Sequence, residues 1–198
     1  MFRLDNIIEQ WATIYKPTSH DPSAAAKPQD KAFFRIDRFE LQNEFDRTFN
    51  LRQKPCVLYC TNIEARLADG KPKAVDYAYG LYLCKKQRTV ANYASDDEGA
   101  ALAKLDLNDM TLDLLAYLFT LADAVGGRTL PADVPQTVRD IAAAVAADQQ
   151  QREAMRCLRL EQTQWWSAPR YKNGWWVMGV ELEGMDPRRL CILSERYV

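Results

Sequence analysis

The stretch from Trp175 to Glu183 limits what this chain can become more than any other. Trp176, Met178, Val180 and Leu182 alternate with Trp175, Val177, Gly179, Glu181 and Glu183. Alternation at period two marks a β-strand with one apolar face turned to a core and a second face turned elsewhere. Lys172-Asn173-Gly174 in front of it is a turn signal, and Trp165-Trp166 stands on the far side of that turn. The pattern is a strand pair rich in indole. Neighbours along a strand point to opposite faces, so one member of each tryptophan pair is expected on the outer face.

The other elements follow from periodicity and breakers. Leu4, Ile7, Ile8, Trp11, Ile14 and Tyr15 recur at helical spacing, which predicts an amphipathic helix over 4–16. Pro17, Pro22 and Pro28 then define a polar, mobile loop over 17–32. Residues 33–39 read as a strand, 40–50 fit neither period, and strands are expected over 56–63 and 75–83 as a hairpin or meander. Residues 95–99 are acidic and read as a loop or a helix start. Asn108 or Asp109 can cap a helix that runs to Val125 and stops at Gly126-Gly127. A second helix is expected from Pro135 to about Arg152, extended chain from Met155 to Trp166, and a short last strand over 188–193. The fold class is α+β: one domain over 1–198, with an antiparallel or mixed sheet and the N-terminal and two central helices packed on one face.

Composition excludes several functions. Net charge is −1, without the basic excess of a general nucleic-acid binder. The most apolar stretch, 112–125, is interrupted by Asp113 and Asp123 and falls short of the roughly 20 apolar residues of a membrane span. Met1-Phe2-Arg3-Leu4-Asp5-Asn6 lacks the apolar run of a signal peptide, so a cytoplasmic protein is expected. Cys56, Cys60, Cys84, Cys157 and Cys191 form no CxxC and read as free, buried thiols.

Catalytic constellations are scarce. The single histidine, His20, lies in the proline-rich loop and is expected to be solvated, which leaves no metal site and neither a Cys–His nor a Ser–His–Asp arrangement. Cys56 and Cys60 on one strand would stand about 13 Å apart. No glycine-rich phosphate loop occurs. Glu181 and Glu183, about 7 Å apart on one strand face, and the 96–98 cluster are the carboxylates available to a hydrolase. Arg152, Arg156 and Arg159 near Trp165, Trp166 and Tyr171 could stack on single-stranded nucleic acid, but nearby acids nearly cancel their charge.

The carriers Leu4–Tyr15, Pro55–Cys60, Gly174 to Leu182 and Leu190-Cys191, in this order, make the chain similar to small prophage-encoded virion proteins of the tail-terminator or head–tail-connector type. The helical region 96–152 is larger than a minimal terminator needs. The resemblance implies a non-enzymatic assembly protein without cofactor, metal or small-molecule substrate, forming a homo-oligomeric ring with other virion proteins as partners. Trp165, Tyr171 and Trp175, with His20 and Pro22 in the loop, are the expected interface. Two alternatives stand beside it: a module binding peptide or single-stranded nucleic acid through its tryptophans, and a hydrolase using Asp97 and Glu181.

Overall fold

In the computed structural model, residues 4–23, 25–36, 54–61, 64–67, 75–86, 96–171 and 175–186 are described. Leu4, Ile7, Ile8, Trp11 and Ala12 lie on one face of helix α1 (Leu4–Ile14), and that face is buried. Among the described residues, strands β1 (Phe33–Ile36), β2 (Cys56–Cys60), β3 (Glu64–Leu67) and β4 (Val75–Lys86) follow. The next described elements are helices α2 (Asp96–Val125), α3 (Gln136–Ala147) and α4 (Gln149–Cys157), and then strands β5 (Gln164–Tyr171) and β6 (Trp175–Asp186).

Among the described residues the strands form one mixed sheet in the order β1-β2-β4-β6-β5, and β3 also pairs with β4. β1 and β2 run parallel, while the remaining pairings are antiparallel. The spine is β4 against β6, in register from Val75 opposite Asp186 to Lys86 opposite Trp175. Strand alternation divides the sheet into two faces. Phe33, Val57, Tyr59, Tyr79, Leu81, Leu83, Trp176, Met178, Val180 and Leu182 share one buried cluster with the apolar faces of the helices. Ala32, Ile36, Cys56, Leu58, Cys60, Cys84, Trp175 and Val177 form a second cluster on the other face. The architecture is α+β, as the sequence predicts.

Several boundaries differ from the sequence reading: α1 stops at Ile14, β4 runs on to Lys86, β3 is not among the expected strands, and three further differences bear on the site. Asn108 and Asp109 do not cap a helix; they lie inside α2, which begins at Asp96. Residues 100–107 are mostly strong helix formers, and Ala103 and Leu107 extend the buried stripe of Met110, Leu114, Leu118 and Leu121. The helix expected over 135–152 is two helices. Asp148 adopts an extended backbone, and its side chain accepts the Gln151 amide N–H at 2.8 Å, capping α4. Residues 155–157 are accordingly helical, and a 3-10 turn at Leu160–Gln162 precedes β5. The strand expected over 188–193 lies outside the described residues.

Candidate interaction surface

α2 is apolar on two sides, and the difference between them defines the site. One side carries Ala103, Leu107, Met110, Leu114, Leu118, Leu121 and Val125 into the core. The other presents Leu102, Leu105, Leu112 and Phe119 to solvent, at 43%, 61%, 47% and 46% exposure. Leu105, Leu112 and Phe119 recur every seventh residue, so they form a line along the helix. Trp165 of β5 borders it: its indole Nε1–H donates to Asn108 Oδ1 at 3.3 Å, and the side chain is 41% exposed. With Trp165 the stripe exposes on the order of 500 Å² of apolar side chain, the size at which a patch on a monomer is often functional.

The flank of this stripe is acidic. Asp109 lies between Leu105 and Leu112, and Asp106 and Asp113 form the next column. Lys85 pairs with Asp106, and Arg128 with Asp123 at 2.8 Å. Tyr15, at the end of α1, donates its hydroxyl to Asp113 Oδ2 at 2.8 Å. Burial, that hydrogen bond and the charges of Asp113 and Asp109 together push the Tyr15 phenol well above its usual range. Lys104, the lone base in α2, sits on the opposite flank with its ammonium 4.8 Å from the Trp176 ring centre.

The residues predicted for an interface are distributed unevenly. Trp165 and Pro22 are exposed. Trp175 is 1% exposed and packed in the second cluster, so in this fold its indole serves the protomer's own interior. The expectation that His20 is solvated is overturned. Its Nδ1 accepts the Ala32 N–H at 3.0 Å, so Nε2 carries the proton and faces Glu9 Oε1 at 3.4 Å. Thr18 donates to the Ala12 carbonyl at 2.6 Å, and Ser19 takes a left-handed φ of 44°. These contacts fold the start of the proline-rich loop against α1 and β1. The side chains of Tyr171 and Asp97 lie outside the described residues.

Trp166 is 47% exposed and lies on the second face, against the strand opposite Gly179. Glu181 and Glu183 share that face and are half-buried opposite Gly80 and Ala78. Cys56, Cys60 and Cys84 are buried free thiols, and Cys84 stands directly opposite Cys56. Burial first, then contact with Cys56, raises the Cys84 thiol pKa. Among the described residues no three His, Cys, Asp or Glu side chains converge on a metal position, and no helix is long and apolar enough to cross a membrane.

Sequence reasoning missed Leu102, Leu105, Leu112 and Phe119. The signal was present: a seven-residue repeat beside the core repeat of the same segment. Compared with known proteins, the chain matches no family model, no curated protein and no solved structure.

Proposed function

We propose that the chain is a non-enzymatic assembly protein that acts by protein–protein association through the exposed face of α2 and Trp165. The observation that carries this reading is the solvent-facing line Leu105–Leu112–Phe119, set beside an exposed indole. A helix that supports only its own core needs one apolar side, and large apolar and aromatic side chains concentrate where proteins meet.

The finer form of the proposal comes from the sequence resemblance: a phage tail or head–tail joining component that forms a homo-oligomeric ring. Light scattering coupled to size exclusion tests it across micromolar concentrations. A mass several times that of the chain is the expected result, with the Leu105→Ser/Leu112→Ser double substitution weakening the binding of other partners at the α2 face and leaving that mass unchanged. A strict monomer with or without the substitutions argues against the ring. A monomer that also engages no partner through this face argues against the association reading itself.

A further inference from the structure

Resting on that association reading, we propose that the α2 face receives a basic amphipathic helix from a partner protein. An apolar line at seven-residue spacing is the geometry that a second helix matches with its own heptad seam. The charges select which helix. Beside Leu105, Leu112 and Phe119 runs the column Leu102, Asp109, Ala116 and Asp123, and outside that run Asp106 and Asp113. Asp106 is paired with Lys85 and Asp123 with Arg128, while Asp113 accepts a hydrogen bond from the Tyr15 phenol, which brings no positive charge. Asp109 and Asp113, one helical turn apart, therefore make a negative edge along the middle of the line.

A second copy of the chain fits this edge poorly. Paired antiparallel, the two helices would bring the Asp106/Asp113 column against its own image; paired parallel, they would place Asp109 against Asp109. Lys104, on the other flank over Trp176, is poorly placed to relieve either arrangement. A partner helix with Leu-like residues on its seam and Lys or Arg facing Asp109 and Asp113 buries the same apolar line and turns repulsion into attraction. Trp165 on the opposite rim offers an indole for the stem of a long basic side chain.

The probe is a fluorescein-labelled peptide of about 18 residues, matching the roughly 26 Å from Leu102 to Phe119, with Leu at heptad spacing and Lys on the flanks. A matched peptide with Glu in place of Lys is the control, and anisotropy with the full chain is the readout. The Lys peptide should bind at least about tenfold more tightly than the Glu peptide, and weaken about tenfold between about 50 and 500 mM NaCl. Asp109→Lys should reverse the preference, and Leu112→Ser should abolish binding of both, with circular dichroism unchanged in each variant. Equal binding of the two peptides, or indifference to Asp109→Lys, overturns the proposal. Self-association through the stripe that strengthens with salt also overturns it, by making a second copy the occupant, and leaves the association reading standing. Neither peptide binding nor self-association removes both.

Discussion

Gly179→Ala should destabilise the protein, and only because Trp166 is there. An alanine Cβ at this position would stand 2.5 Å from Trp166 Cε2, 2.6 Å from Cζ2 and 2.9 Å from Nε1, where ordinary contact begins near 3.4 Å. The ring must withdraw by the difference, 3.4 minus 2.5, or about 0.9 Å. A rigid indole can do so only by rotating away from its preferred torsions and giving up its contact with β6. Overpacking of this size costs about 1–3 kcal/mol, while exchanging Gly for Ala within a strand returns about 0.5–1 kcal/mol of backbone entropy. The net expectation is a loss of about 1 kcal/mol in wild type and a gain of about 0.5–1 kcal/mol when Trp166 is already alanine. Urea unfolding of wild type, both single variants and the double variant measures the coupling, expected near 2 kcal/mol. If Gly179→Ala has the same effect in both backgrounds to within about 0.5 kcal/mol, the ring does not rest on Gly179 and the packing argument fails.

Replacing His20 by Ala should cost about 2–4 kcal/mol, because it deprives the Ala32 N–H of its acceptor and opens a cavity; hydrogen exchange at Ala32 should quicken at the same time. On α2, Leu118→Ala should cost about 2–5 kcal/mol and Leu105→Ala within about 0.5 kcal/mol of nothing, since the first side chain is 0% exposed and the second 61%; similar losses by urea unfolding would refute the two-sided reading of the helix. Tyr15, Tyr59 and Tyr117 all have phenol pKa values raised above 10.0, chiefly by burial. Their contribution to stability is complete below pH 10.0 and is lost as pH rises further, so the tyrosinate absorbance of these three, isolated with Tyr15→Phe, Tyr59→Phe and Tyr117→Phe variants, should climb together with unfolding and not before it. Cys56, Cys60 and Cys84 should resist a thiol reagent until the protein unfolds, whereas half-buried Cys157 labels earlier; peptide-resolved mass spectrometry separates them.

The fold was legible wherever one period dominated. The alternation from Trp176 to Leu182 specified both a strand and its core face, and the Leu4–Tyr15 spacing specified α1, because each pattern can bury its apolar residues in only one secondary structure. The helix over 96–125 was harder to place. It carries two apolar sides, one toward the core and one toward solvent, so its residues do not separate into a clean inner and outer face in sequence. Asn108 and Asp109 then resembled a helix start, although the buried stripe runs on from Leu107 to Met110 on the other side of the helix.

Composition and local pattern alone determined that the chain makes an α+β domain with a strand pair rich in tryptophan. Tertiary packing decided which tryptophans remain outside. Trp165 and Trp166 on β5 are exposed at 41% and 47%, while Trp175 and Trp176, on the neighbouring strand β6, are buried at 1% and 8%. Packing likewise turned His20 from a loop side chain into a buried link between α1 and β1, and left Leu105, Leu112 and Phe119 outside. Local periodicity fixes which residues share a face; which face finds a neighbour depends on contacts between segments far apart in the chain.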